Sequence, residues 1–194
     1  IAIILSSSFG LYTWMNNPES QMVAVTVRAG SKAEMALPDG TFVHLNAATN
    51  LEYDVNNSKQ RLVKLSGEAF FDVAKNPDCP FKVIINDLQI EVVGTSFNVK
   101  TYKKDIVETS LLSGRIRISG GSLPHEYTLS PGQKATYSAM DRTLRISKAD
   151  AHVEAGWRDN YLIFESTPLI DVIAQIERWY GVEIRLHHKQ IAQD

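Results

Sequence analysis

VAVTVRAG (23–30), AEMALPDG (33–40), FVHLNA (42–47), LEYDV (51–55), RLVKLSG (61–67), AFFDVA (69–74), FKVII (81–85), LQIEVVG (88–94), FNVKTY (97–102), VETSLLSG (107–114), RIRISG (115–120), YTLSPG (127–132), KATYSA (134–139) and LRISK (144–148) follow one another along the chain. Each is a short alternating or β-branched run, closed within eight to twelve residues by Gly, Pro, Asn or Asp, which is how strands and their turns read. The runs leave no room for the helices of ten or more residues that a parallel doubly wound sheet places between its strands. The expected fold is therefore mainly β over residues 25–150, as a sandwich, a jelly roll or a β-solenoid. Periodicity does not choose among the three.

After Asp150 the pattern changes. HVEAGWRD (152–159) reads as a polar connector with a helical turn, and YLIFEST (161–167) reads as a strand. Ser166, Thr167 and Pro168 then resemble an N-cap followed by proline at the first helical position. Leu169, Val172, Ile173, Ile176, Trp179 and Tyr180 recur at the three-and-four spacing of one buried helix face. Gly181 stands where a left-handed C-cap is expected, and VEIRL (182–186) reads as a second strand. Residues 151–194 are thus expected to form a small α+β unit, strand-helix-strand, that is incomplete by itself because one helix and two strands cannot cover each other's faces.

Ile1 to Met15, IAIILSSSFGLYTWM, is apolar and uncharged and ends in Tyr12 and Trp14, residue types favoured at the membrane interface. A span needs ~20 apolar residues, so this stretch is expected to be the outer part of a truncated transmembrane anchor, with residues 16–24 as a linker. A signal-peptide core is the competing reading; it lacks a basic n-region and a small-x-small cleavage pattern.

Bulk properties exclude several classes. The 194 residues, with 44% hydrophobic and 22% charged, are those of a folded chain. Net charge is -2 and the basic residues are scattered, so no stripe invites nucleic acid. The single cysteine, Cys79, rules out an intramolecular disulfide scaffold. The histidines do not converge: His44 lies on a strand, His125 and His152 in loops, and His187 and His188 point to opposite faces of the last run. Glu34, Glu52, Glu68, Glu91, Glu108 and Glu126 fall one per strand or hairpin, the pattern of solvated β faces. No phosphate loop, dinucleotide fingerprint or nucleophile elbow is present. No enzyme, metal or cofactor is expected.

Asp39-Gly40 between two runs is a type I′ hairpin signal. Gly67 and Gly94 sit inside strand patterns, where glycine marks a bulge or a close backbone approach.

LPDGTFVHLN (37–46), LSGEAFFDVAKNPDCPFKV (65–83) and IEVVGTSFNVKTY (90–102), continued by LLSGRIRI and LSPGQKATY, closely resemble in order and spacing the signature blocks of the FecR domain family, from about Val25 to Leu144. YLIFESTPLIDVIAQIERWYGVEIRL resembles the first half of the secretin-and-TonB short N-terminal-like domain that often follows it. The resemblance implies the periplasmic sensor region of a membrane-anchored anti-sigma regulator. A cytoplasmic region would hold an extracytoplasmic-function sigma factor, and the partner outside would be the signalling domain of a TonB-dependent outer-membrane receptor occupied by an iron chelate or a glycan. Because the family includes members that cleave themselves at such a Gly-Thr, Gly94-Thr95 has a conditional cleavage reading beside that of a β-bulge glycine: given a strained turn and a nearby base, the threonine hydroxyl attacks the Gly94 carbonyl in an N-to-O acyl shift, and water splits the resulting ester. Partner contacts are expected on the open edge of the C-terminal unit, at Tyr161, Ile163, Arg185 and His187. A carbohydrate-binding β-sandwich and a cell-surface assembly domain share the same all-β body.

Overall fold

A computed structural model describes residues 21–55 and 61–186. The expected anchor (1–15), residues 16–20 of the linker, and His187 and His188 lie outside the described residues. Among the described residues no helix is long and apolar enough to cross a membrane.

The described residues form fourteen strands: β1 Met22–Val27, β2 Ala33–Ala36, β3 Phe42–Leu45, β4 Thr49–Asp54, β5 Arg61–Ser66, β6 Glu68–Asp72, β7 Phe81–Ile85, β8 Leu88–Val92, β9 Ser96–Lys100, β10 Ile106–Ser113, β11 Ile116–Gly120, β12 Tyr127–Leu129, β13 Gln133–Ser138 and β14 Thr143–Lys148. They make two seven-stranded sheets, ordered β1-β4-β5-β7-β8-β11-β12 and β14-β13-β10-β9-β6-β3-β2. Every neighbouring pair is antiparallel except β5 with β7. The two sheets share one core, so the open choice among β architectures resolves as a two-layer sandwich. Phe71 lies at its centre, stacked on Phe97 at 5.2 Å and tilted against Phe81 at 5.8 Å, and burial of such rings supplies most of the driving force for packing.

The chain changes sheet between hairpins, and two of the marked glycines stand at these crossings. Gly67, between β5 and β6, has φ +113, and a Cβ there would lie 2.5 Å from Thr49 Oγ1 and 2.7 Å from Thr49 Cα. No side chain fits such a place. At Gly94, between β8 and β9, a Cβ would meet the Lys75 side chain at 2.8 Å and its Cα at 2.9 Å, and the φ is not left-handed. Both are close approaches, one of the two alternatives glycine in a strand pattern allows.

The Asp39-Gly40 turn differs from the expected type I′. The Gly40 N–H donates to Leu37 O at 3.0 Å; Gly40 alone of the pair has positive φ, +83. This is a type I turn with Gly40 in the bulge position. Pro38 sits where its fixed φ suits such a turn. Asp39 is structural: its carboxylate accepts from the Thr41 N–H and hydroxyl and from Arg61 Nε at 2.7 Å.

The outer face of the first sheet carries paired charge, with Glu52 beside Lys64, and Glu91 between Lys82 and Arg117. The second sheet is different. Glu68, Ala69, Phe70 and Phe71 are all buried in β6, as are Phe97, Asn98 and Val99 in β9 and Thr109, Ser110 and Leu111 in β10. Consecutive burial means that both faces of the sheet are covered.

The outer cover is the chain after Asp150. It comprises α1 (Ala151–Ala155), a 3₁₀ turn (Gly156–Asp159) and α2 (Leu169–Tyr180). The helix, the turn in the connector and the left-handed Gly181 cap, φ 66, agree with expectation. Three features do not. Pro168 itself occupies the N-cap position of α2 with no side-chain cap, and Ser166 takes φ +49. Residues 161–167 and 182–186 form no strand, because a β-rich run becomes a strand only when another strand meets its backbone groups. Of the apolar helix residues only Ile173 is buried; Leu169, Val172, Ile176 and Trp179 are half-covered and Tyr180 is exposed.

Candidate functional site: the C-terminal unit and its seat

The seat is built by two sequence blocks. β6 turns Phe70 outward while Ala69 and Phe71 face the core, and β9 places Asn98 beside Phe70 in register. Phe70, Ala155 and Trp157 form a small second cluster, with Leu112 and Trp179 packed against it. The Trp157 indole N–H donates to Asn98 Oδ1 at 3.1 Å, and Asn98 Nδ2 donates to Glu68 Oε1 at 3.0 Å. Asn46 Nδ2 donates to the other oxygen, Oε2, at 2.7 Å.

The direction of this relay is fixed. Indole offers only a donor, and so does the Ala47 N–H, which meets Asn46 Oδ1 at 2.8 Å. Each asparagine must therefore turn its NH2 to Glu68, whose carboxylate accepts at both oxygens. Glu68, read from sequence as part of a solvated face, is only 6% exposed. Burial pushes its carboxyl above the usual range, opposed by Lys100 and by the two amide donors, and Glu154 adds to the rise.

Cations tie the cover down around this centre. Lys32, in the β1–β2 turn, donates to Trp157 O at 2.6 Å and Asn160 Oδ1 at 3.0 Å, and its Nζ lies 3.4 Å from the centre of the Trp179 ring. Burial lowers its pKa, against the pull of Glu68. The Arg158 guanidinium lies 3.6 Å from the Phe70 ring, and that of Arg178 lies 4.1 Å from the Tyr102 ring. Burial, helped by the negative charge of Glu68, raises the Tyr102 phenol far out of its usual range. Lys134 bridges Glu154 at 2.8 Å and Glu108 at 3.2 Å, and Lys103 meets Asp171 at 2.7 Å. Cation–ring contacts are worth roughly 0.5–2 kcal/mol each, so the seam is held largely by polar and cation–aromatic contacts.

A cleft of about 480 Å³ remains between the second sheet and the cover, with Glu68, Tyr102 and Trp157 on its walls. Tyr161 and Ile163, two of the expected contact residues, line it, and Tyr161 is 65% exposed. Arg185 is outside that cleft, exposed and hydrogen-bonded to Glu183 at 2.9 Å; His187 lies outside the described residues. The Thr95 hydroxyl is buried and donates to Arg115 O at 3.1 Å. Gly94 and Thr95 border a separate groove of about 550 Å³ with Lys75, Glu91 and Arg115. His44 is half-buried between Phe42 and Phe70, with Nδ1 3.1 Å from Glu34. Among the described residues no three metal-ligating side chains gather. Sequence reasoning missed Glu68, Asn98, Trp157 and Lys32. The available signal was the loss of alternation in GEAFF and SFNV.

The family described as FecR protein matches residues 23–117, and FecR, C-terminal, matches residues 161–194. Two crystal structures of a candidate anti-sigma factor from Parabacteroides distasonis, at 2.50 and 1.65 Å resolution, are similar to this chain with a TM-score of 0.77 and 32% identity. They align over 84% and 83% of this chain and 76% of theirs. This chain belongs to the FecR family. No curated protein sequence matches it. The first FecR match ends within β11 and the C-terminal match begins at Tyr161, so Trp157 lies in the stretch between them. The FecR family and the anti-sigma neighbour assign the chain a regulatory sensor role.

Proposed function

We propose that this FecR-type chain is the periplasmic sensor region of an anti-sigma factor, anchored in the inner membrane through Ile1 to Met15, which relays a signal from a TonB-dependent outer-membrane receptor to an extracytoplasmic-function sigma factor. The receptor's signalling domain docks on the C-terminal unit, and a cytoplasmic region of the full-length protein holds the sigma factor. The observation that carries this reading is the unfinished surface of the C-terminal unit. Tyr161, Phe164, Ile170, Tyr180, Val182 and Leu186 are exposed there, beside two segments of strand-like sequence that pair with no strand among the described residues. The N–H groups of Tyr161, Val182 and Ile184 are engaged by Gly156 and Glu177; a partner strand would pair with the remaining backbone groups of these segments, with alternate side chains setting specificity. The open face of the first sheet carries alternating charge and not the aromatic cluster that glycan binding would use.

Calorimetry of the sensor region with a receptor signalling domain tests it. Ile163→Pro is expected to abolish binding while the melting curve is kept, because proline deletes a backbone donor; Ile184→Pro is the harsher variant, since the Ile184 N–H donates to Glu177 Oε1 at 2.7 Å, and a fall in its melting temperature is expected as well. Affinity retained after removal of everything beyond Asp150 would place the docking surface on the sandwich and refute this assignment.

A further inference from the structure

The β1–β2 turn is where the sandwich and the C-terminal unit grip each other backbone to backbone. The Gly30 N–H donates to Arg178 O at 2.8 Å, satisfying one of the carbonyls that the last turn of a helix leaves without an intrahelical partner. Gly30 (φ +78) and the helix cap Gly181 (φ +66) face one another: a Cβ on Gly30 would come within 3.3 Å of Tyr180 O and 3.4 Å of Gly181 Cα, and one on Gly181 within 3.3 Å of Ala29 O and 3.4 Å of Gly30 Cα. Two residues on, Lys32 holds Trp157, Asn160 and Trp179 together. One five-residue turn thus contacts both the 3₁₀ turn and the end of α2.

That turn leads directly out of β1. Among the described residues β1 is an edge strand that pairs with β4 alone, and only Val27 of its six residues is buried. It is also the described strand nearest in sequence to Ile1–Met15. An edge strand with one neighbour and little burial belongs to the low-stability end of a fold, so its opening is governed by whatever holds its ends. At the N-terminal end, the Val55 N–H donates to Gln21 O at 3.0 Å. At the C-terminal end the hold is the turn clasped by the C-terminal unit.

We propose that Arg28–Lys32 is a clasp that couples docking of the C-terminal unit to the closure of β1, so that release of the unit frees the strand leading toward the membrane. The two-state element is β1 on or off the first sheet, biased by whether Gly30 and Lys32 are engaged. The biological direction of the coupling rests on the docking reading above; the coupling itself does not require it.

Hydrogen exchange read by mass spectrometry on the full chain, without any partner, tests the coupling. Lys32→Met keeps the aliphatic stem and removes the two hydrogen bonds and the cation over Trp179. Exchange is expected to rise about tenfold together in residues 22–27 and 169–182, the scale set by losing a charged hydrogen-bonded contact, while β10 and β13 keep their protection. Trp157→Phe removes the N–H that meets Asn98 and part of the ring packed on Phe70, and leaves the Trp157 carbonyl that accepts from Lys32 in place; β1 is expected to loosen there too. Faster exchange confined to the C-terminal unit, with β1 unchanged in Lys32→Met, overturns the clasp, and so does a uniform rise that includes β10 and β13. Either failure leaves receptor docking on the C-terminal unit standing, since calorimetry measures that separately.

Discussion

Asn98→Asp is the sharpest perturbation of the seat, because it changes one atom in a relay whose directions are fixed. Asn98 donates to Glu68 at 3.0 Å and accepts from Trp157 at 3.1 Å. An ionised aspartate would still accept from Trp157 but would turn a second negative oxygen on the buried carboxylate of Glu68. Two carboxylates at this separation do not both ionise; they hold one proton between them, with one pKa strongly raised. The variant's folded state therefore keeps a proton that the unfolded chain, with an ordinary aspartate near pH 3.9, has released. A raised folded pKa means that stability is fully present at acid pH and is lost as pH rises through the interval between the unfolded and folded values. The slope is about 1.4 kcal/mol per pH unit steeper than wild type. A rise of about two units, typical of such pairs, removes roughly 3 kcal/mol by neutral pH, or about 6–12 °C in Tm for a chain of this size. Wild type slopes in the same direction through the raised Glu68 carboxyl. Melting curves of both proteins from pH 4 to 8 measure the difference. Parallel wild-type and variant profiles would show that Glu68 is not held by Asn98 in a water-poor seat, and the relay would be wrong.

Self-cleavage at Gly94-Thr95 would give two fragments near mid-chain on a denaturing gel, with one band restored by Thr95→Ala; a single intact band for the native sequence removes the idea. Cutting the chain after Asp150 is expected to leave a sandwich that melts cooperatively, since its core of Phe71, Phe81 and Phe97 lies wholly before the cut. Its Tm should fall, because stripping Phe70 of cover costs roughly 1.5–3 kcal/mol. A disordered circular-dichroism spectrum would move the boundary of the folding unit past Asp150.

Much of the sandwich was legible because a strand with one wet face writes its geometry into alternation. Arg61 to Ser66 and Phe81 to Ile85 read directly as strands. The seat was harder to see. In Glu68-Ala69-Phe70-Phe71 and Phe97-Asn98-Val99 the alternation fails, and the failure itself records a second covering layer. Taken one strand at a time, Glu68 resembled the other acidic residues. Lys100, 32 residues away in sequence, and its asparagine neighbours, 22 and 30 residues away, make its burial tolerable, and such pairings are invisible before the sheet register is known. YLIF and VEIRL were misread for the opposite reason. Their composition states a preference for extended structure, but a strand also needs a neighbour that these residues do not have among those described.

The two seams of the molecule differ in chemistry, and that difference bears on how the protein signals. Between the sheets, Phe71, Phe81, Phe97 and aliphatic side chains meet with little polar content; separating such surfaces exposes apolar area at about 25 cal/mol per Å² and amounts to unfolding. Between the second sheet and the C-terminal unit, a small apolar patch of Phe70, Ala155 and Trp157 is surrounded by Lys32, Arg158, Arg178 and Lys134 with their partners. Charged side chains recover hydration when such a contact opens, so the free-energy cost of separation is small beside that of opening the core, and interfaces of this polar kind within one chain are the ones across which relative motion is the default. The proposed docking of a partner on the C-terminal unit, with the body staying folded, calls for this asymmetry. The GEAFF and FNV blocks supply it from the same strands: Phe71, Phe97 and Val99 close the permanent seam, and Glu68, Phe70 and Asn98, on the opposite face, build the one that can open.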